Sequence, residues 1–345
     1  MKVPLLDLRP PLEELHDEIV KAVTQVIDST CYIMGPEIDG LEKEISAYCG
    51  TNDAVGVSSG TDALLLALMV LDVGPGDLVL TSDFSFFATA GVIARLNSTP
   101  VFVDIDPQTF NIDPESLRNT LTEMDAQTRK RVKAIIPVHL YGQCADMEAI
   151  LNISREYNIP VIEDGAQAIG AECELDGQKK RAGSTGDFGC FSFFPSKNLG
   201  GVGDGGIVTV NNPEIAEQLR LKRVHGGERK YYHRVIGGNF RLDPIQAAVI
   251  RVKLPHLNEW HKQRQENAEH YNKLFVEKDL LGKVQLPFIA HPQNLQNAHI
   301  FNQYVIKAER RDELKSYLAE NEIASEVYYP RPFHLQECFL HLGGK

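Results

Sequence analysis

The chain reads as an α/β protein with a mainly parallel central sheet flanked by helices and a smaller C-terminal α+β domain. Two observations predict this. Apolar runs of strand length recur along the first two-thirds of the 345 residues, and stretches with helical spacing separate several of them, as the crossovers of a parallel sheet require. The length exceeds the roughly 100 to 200 residues of one typical domain, and a composition of 43% hydrophobic and 24% charged residues is globular, so one large core with a smaller companion is expected.

Taken in order, Leu12, Leu15, Ile19, Val23, Val26 and Ile27 recur at helical spacing and predict an N-terminal amphipathic helix. The run Ala63 to Leu71 follows Ser59-Gly60-Thr61-Asp62 and predicts a buried helix with a capped start. Strands are expected at Leu78 to Leu80, Val101 to Val103, Ala134 to Val138, Val161 to Ile162, Cys190 to Phe194 and Ile207 to Val210. Near residue 250 the composition turns charged and helix-forming, from Leu254 to Lys278. After Pro292 a shorter α+β pattern follows, with Gln303 to Ile306 as a strand and Asp312 to Glu320 as a helix. The large domain is therefore placed at 1–253 and the small one at 254–345. No internal repeat or low-complexity tract is visible.

A formal net charge of −12 argues against nucleic acid or an acidic membrane as the main partner. Any anionic substrate must then be held by locally placed cations and backbone amides. The six cysteines form no C-x-x-C pair, which fits free thiols in a reducing cytosol. No apolar signal core follows Met1-Lys2-Val3-Pro4, and the longest apolar run is far short of the roughly 20 residues of a membrane span, so a soluble, cytoplasmic protein is expected.

The chemistry centres on Lys197, in Cys190-Phe191-Ser192-Phe193-Phe194-Pro195-Ser196-Lys197-Asn198-Leu199-Gly200-Gly201. An ammonium group between an apolar strand and a glycine-rich turn loses hydration of its charged form. Its pKa falls, and a neutral amine becomes available for Schiff-base formation. A snorkelling surface lysine or a phosphate point charge fits the local window equally well. Asp164 ends the apolar stretch Pro160-Val161-Ile162-Glu163-Asp164, at the carboxyl end of a strand, where ligands bind in open α/β sheets. A carboxylate there can pair with a protonated ring nitrogen, and lysine plus such an aspartate is what pyridoxal phosphate needs. A helix N-cap or a turn carboxylate is the plainer reading of Asp164.

Ser59-Gly60-Thr61-Asp62 is the natural phosphate cradle, because helix N-terminal amides point at an anion and hydroxyls add donors. An N-cap without ligand is its alternative. Gly201-Val202-Gly203-Asp204-Gly205-Gly206 matches the dinucleotide pattern G-x-G-x-x-G, but a strand follows it, so no helix N-terminus is available for a pyrophosphate.

These motifs, together with Val3-Pro4-Leu5-Leu6-Asp7-Leu8, Ser58-Ser59-Gly60-Thr61-Asp62-Ala63-Leu64, Val138-His139-Leu140-Tyr141-Gly142-Gln143 and Gly238-Asn239-Phe240-Arg241-Leu242-Asp243, resemble the DegT/DnrJ/EryC1/StrS family of pyridoxal-phosphate sugar aminotransferases of fold type I. The resemblance implies that Lys197 forms the internal aldimine and shuttles the substrate proton, and that Asp164 keeps the pyridine nitrogen protonated. It implies that Gln167, where many relatives carry His, contacts the ring hydroxyl. Phe86 would stack on the ring, core packing being its alternative. Gly60, Thr61, Asp62 and Ser192 would hold the phosphate end, with Asn239 reaching it from the partner of a homodimer. A nucleotide-linked keto-sugar is the implied acceptor, with a lean to 3-keto sugars, and L-glutamate the implied donor. Arg331 and His334, in Tyr328-Tyr329-Pro330-Arg331-Pro332-Phe333-His334, are the candidates for sugar or diphosphate contacts. Relatives usually continue past the His334 region, so the small domain is expected to be incomplete. Two other readings stand beside the aminotransferase. One is a cofactor-dependent sugar dehydratase, whose family members carry histidine in place of the lysine; the other is a non-catalytic regulatory protein on the same fold.

Overall fold

The computed structural model describes residues 2–290 and 295–343. The central strands are β1 (Asp53–Val57), β2 (Leu78–Ser82), β3 (Thr99–Val103), β4 (Val132–Ile136) and β5 (Ile162–Asp164). After a hairpin of β6 (Glu172–Leu175) and β7 (Gln178–Arg181) come β8 (Phe188–Ser192) and β9 (Gly206–Val210). β3-β2-β4 and β5-β8-β9-β1 are joined by parallel bridges from Ile135 to Val161 and from Val138 to Asp164, giving one sheet in the order β3-β2-β4-β5-β8-β9-β1. Its neighbouring pairs are parallel except those that include β9. The six strands expected between Leu78 and Val210 all form, with the lysine-proximal one shifted to Phe188–Ser192.

Helices cover both faces, and their ends are chemically marked. α1 (Arg9–Ser29) carries proline in its first turn and buries Leu15, Ile19 and Val26, spaced four and seven residues apart, in a cluster with Val249 of α9 (Pro244–Lys253). α2 (Pro36–Cys49) inserts Ile38, Leu41 and Ile45 into the larger core beside Leu242 and Ile250. α3 (Gly60–Val70) is apolar all round because it is buried all round: Ala63 to Leu68 pack with Val55, Val57, Val208 and Val210 of the sheet. α4 (Ala88–Arg95) follows β2, and the turns after β3 and β4 lead to α5 (Pro114–Glu123), the short α6 (Ala126–Arg129) and α7 (Met147–Tyr157). The side chains of Asp113, Asp125 and Asp146 cap those three helices. α8 (Pro213–Arg223) is capped by Asn212 in the same way.

The sequence boundary at 254 falls on a 3-10 turn, Leu254–His256, between α9 and α10 (Leu257–Glu277). Beyond α10, Val284–Gln285 pairs antiparallel with Lys307–Ala308, and α11 (Arg311–Glu320) follows. Pro292 lies outside the described residues. The expected strand at Gln303 to Ile306 is corrected: the ladder begins at Lys307. Tyr304 stacks on Tyr271 with ring centroids 5.1 Å apart and donates to Asn272 Oδ1 at 2.6 Å, so this stretch packs along α10 instead of pairing. Val3 bridges to Ile323, which ties the N-terminus to the C-terminal region.

Candidate active site

The parallel strands all present their carboxyl ends on one edge, and β9 enters at that edge because it runs the other way. Asp164 ends β5, paired with Cys190 of β8, and Ser192 ends β8 opposite Gly206. Val57 ends β1 opposite the same Gly206, so Ser58 to Gly60 emerge beside Ser192. The edge thus gathers residues from 58 to 62, from 83 to 89, from 139 to 143, 164 to 167 and 192 to 197.

Ser59 caps α3: its Oγ accepts from Asp62 N at 3.0 Å, and Ser58 Oγ donates to Asp62 Oδ2 at 2.7 Å. Both Ser59 and Asp62 are therefore spent on shaping the turn, which leaves the Gly60 and Thr61 amides and the Thr61 hydroxyl as the donors available to an anion. Gly60 is required by contact: a Cβ there would lie 2.6 Å from Ser192 Cβ. The backbone of α3 and Ser192 consequently form one small concave corner.

Asp164 is 5% exposed and held by two donors, Thr89 Oγ1 at 2.7 Å and Ala166 N at 3.2 Å. It caps no helix, so the N-cap reading fails, while the bond from Ala166 N two residues on is that of a turn carboxylate. Burial pushes its pKa up, and the bonds from Thr89 and Ala166 and the charge of Lys197 only partly offset this. Lys197 follows β8 in a turn where its amide donates to Phe194 O at 2.8 Å. Burial pushes its pKa down, against the opposing pull of Asp164. Lys197 compensates the desolvated Asp164 carboxylate only in part, so a cationic group bound beside Asp164 would complete its neutralisation.

Phe86 is 56% exposed, which rules out core packing and leaves its ring face open at the edge. Gln167 is buried, with Oε1 accepting from Tyr141 N at 2.7 Å and Nε2 donating to the Tyr329 hydroxyl at 2.9 Å. Asn239 is exposed on a segment that runs beside β1 of its own chain, where Ser58 N donates to Phe240 O at 3.0 Å. His334 joins the edge through Asp83: its amide donates to Asp83 Oδ1 at 2.9 Å and its Nδ1 pairs with Oδ2. Arg331 is exposed and makes no side-chain bond among the described residues.

Five residues of the site take no individual role in the sequence reading. Thr89, Tyr141 and Tyr329 meet Asp164 and Gln167 only through the fold. His139 and Glu163 form a fully buried pair, Nε2 to Oε2 at 2.8 Å, behind Asp164. His139 Nδ1 accepts from Ala145 N at 3.1 Å, so the ring proton sits on Nε2 and is donated to the carboxylate. Burial would raise the Glu163 pKa, but His139 and the amides of Gly186 and Gly183 outweigh it and the net shift is down. The one sequence hint was the adjacency of Glu163 to Asp164 on opposite faces of a strand, one for the core and one for the site.

The chain matches the model of the DegT/DnrJ/EryC1/StrS aminotransferase family over residues 13–345. The chain belongs to this family. It is 47% identical to the pleiotropic regulatory protein of Geobacillus stearothermophilus over all of this chain and 88% of that protein. It is 42% identical to the UDP-N-acetyl-3-dehydro-α-D-glucosamine 3-aminotransferase of Acidithiobacillus ferrooxidans, over 98% of this chain and 87% of that one. Among solved structures it is similar to S. venezuelae DesV in complex with a ketimine intermediate, with a TM-score of 0.90 and 38% identity over 99% of this chain and 87% of that one. As a family member it is an aminotransferase of fold type I, and pyridoxal phosphate is its cofactor.

The residues present fit that group. The Gly60–Ser192 corner would close on any Cβ at position 60, Asp164 is a buried carboxylate in want of a cation, and Lys197 is held toward its neutral form. Among the described residues no cluster could hold a metal ion. Thr89 gives a first test. Thr89→Val removes the shortest bond to Asp164, so the carboxyl pKa rises further and the acid limb of the kcat/KM profile moves to higher pH. The expected loss at pH 6 is roughly tenfold, the scale of one hydrogen bond to a charged group, and an unmoved acid limb would count against Thr89.

Proposed function

We propose that this protein transfers an amino group from L-glutamate to a nucleotide-linked 3-keto sugar, with Lys197 as the nucleophile and proton carrier. The observation that carries the reading is Lys197 and Asp164 together at the carboxyl edge of the sheet, each pushed by burial toward its neutral form. Relatives named for 3-amino sugars support the acceptor, among them the A. ferrooxidans enzyme and the dTDP-3-amino-3,4,6-trideoxy-α-D-glucose transaminase of Streptomyces venezuelae, 39% identical. Lys197 argues against the dehydratase reading.

Pyridoxal phosphate, when bound, supplies an electron sink for charge developing on the amino-bearing carbon. The chain's own residues do the rest. The α3 amides, Thr61 and Ser192 bind the phosphate end, and Phe86 covers one ring face. Asp164, oriented by Thr89 and Ala166, holds the proton on the ring nitrogen, and Gln167 contacts the ring hydroxyl. Lys197 Nζ, neutral at lower pH than an exposed lysine, takes a proton at one carbon and returns it at another. Arg331 and His334 would contact the sugar nucleotide, His334 being held at the edge by its bond to Asp83.

The active unit in this reading is a cytoplasmic homodimer, with 254–345 as a separate small domain. Exposed apolar side chains support the dimer: Tyr231, Tyr232 and Ile236 on and beside the hairpin of Gly227–Arg229 and Tyr232–His233, and Leu5, Leu8, Leu12, Val20 and Ile27 toward and along α1. The six cysteines are free, as a reducing compartment permits, and among the described residues no helix is long and apolar enough to cross a membrane.

Asn239→Ala should weaken cofactor binding by roughly tenfold or more, because one charge-assisted bond to phosphate is lost. At a cofactor concentration too low to load Asn239→Ala homodimers, mixed dimers of Asn239→Ala and Lys197→Ala chains should regain activity, since one of their two sites then holds both native residues. Inactive mixed dimers would place Asn239 in its own subunit's site. The function itself is tested by following 2-oxoglutarate release beyond the first equivalent per site, from L-glutamate with UDP- or dTDP-linked 3-keto and 4-keto sugars. Release with the 3-keto substrates alone is expected. Release with 4-keto substrates alone would move the acceptor position. Cofactor binding with no release on any acceptor would favour a regulatory protein, the function in the name of the G. stearothermophilus relative.

A further inference from the structure

The chain decides the orientation of the Gln167 side chain from both ends. A backbone N–H can only donate, so the Gln167 atom 2.7 Å from Tyr141 N is the amide oxygen, and Nε2 is turned to the Tyr329 hydroxyl at 2.9 Å. Tyr141 is itself pinned. Its backbone φ is +59°, a region that bulky residues seldom adopt, and its hydroxyl donates to Tyr328 O at 2.5 Å. Its ring packs edge-on against Phe110 with centroids 5.8 Å apart, and Tyr329 packs edge-on against Phe84 at 5.8 Å. The segment 328–329 thus grips the loop after β4 and the turn after β5 at once, although some 160 residues of chain separate it from Gln167. Burial pushes the Tyr329 phenol up to about 12, so it remains a neutral hydroxyl at any working pH.

We propose that Tyr329, together with Tyr141, is a positioning residue that locks the Gln167 amide as a hydrogen-bond donor toward the cofactor ring hydroxyl and thereby couples the C-terminal segment to the chemistry. The proposal rests on the pyridoxal-phosphate reading of this site. Nε2 carries two protons: one goes to Tyr329 and the second is left for the ring oxygen. A donor fixed there favours the oxygen as an anion and lowers its hold on a proton shared with the neighbouring conjugated nitrogen. An amide free to rotate would present its oxygen for part of the time and would repel that anion.

The test is a pH titration of the visible band of the cofactor-loaded full chain, in wild type, Tyr329→Phe, Tyr141→Phe and Gln167→Ala. Tyr329→Phe is expected to raise the midpoint by roughly one unit, the effect of weakening one hydrogen bond to a charged group, with the cofactor-free protein melting only about 2 to 5 °C lower. Tyr141→Phe, which keeps its backbone donor and loses only the bond to Tyr328, is expected to shift it in the same direction by less. kcat should fall in both while KM for L-glutamate holds, as a merely structural defect would not arrange. A shift in Gln167→Ala with none in either tyrosine variant would overturn the proposal and leave the cofactor reading standing. A wild-type protein with no visible band would overturn both. Should Tyr329→Phe fail to fold, Tyr141→Phe decides the matter alone.

Discussion

Lys197→Ala is expected to abolish transamination, by roughly four to six orders of magnitude, because the covalent nucleophile and the proton carrier are one group. The variant should fold as the wild type does. Nζ makes no hydrogen bond among the described residues, and burial disfavours its charged form, so removing it relieves a cost and breaks no network. Borohydride treatment of the cofactor-loaded wild type should add the cofactor mass to the peptide carrying Lys197 and add none in the variant. Retained turnover, or labelling at another lysine, would take Lys197 out of the mechanism.

The second large effect belongs to Asp164. Asp164→Asn should bind cofactor yet lose roughly two to three orders of magnitude in kcat, since the ring nitrogen no longer faces an anion that keeps its proton. The same substitution carries an opposite signature in the cofactor-free chain. The folded pKa of Asp164 is raised above its unfolded value, so its contribution to stability is present below the unfolded pKa and is lost as pH rises through the folded one. An asparagine has no such loss. Cofactor-free Asp164→Asn should therefore melt higher than wild type at neutral pH and approach it in acid, while the loaded variant should gain less from cofactor than the wild type does. A variant that turns over normally, or that melts lower without cofactor, would contradict the assigned role.

How much of this was legible in the sequence follows from the length scale of each interaction. Lys197, Asp164 and the Ser59 to Asp62 turn could be read because a strand end or a helix start is a local pattern, and each sits where that pattern changes. Thr89 could not, since its bond to Asp164 spans 75 residues and nothing near Phe86 to Ala88 marks the hydroxyl. The Tyr329 contact with Gln167 spans 162 residues and is equally silent. Strand β1 was missed because Gly56 interrupts a five-residue run, the glycine being kept where Leu242 approaches to 3.3 Å of the position its Cβ would take. At Gln303 to Ile306 the alternation was real, but Tyr304 uses it to pack on α10 rather than to pair. The sheet order, and with it the common edge, emerged only from the tertiary pairing of β4 with β5 and of β8 with β9.

The central claim is that Lys197, Asp164 and the α3 turn form one working aminotransferase site. Its most direct test is the visible spectrum of the cofactor-loaded protein before and after addition of L-glutamate. The visible band should be lost, absorption of the amine form of the cofactor should grow, and one equivalent of 2-oxoglutarate should appear per site. A visible band that L-glutamate leaves unchanged, with no 2-oxoglutarate formed, would contradict that claim.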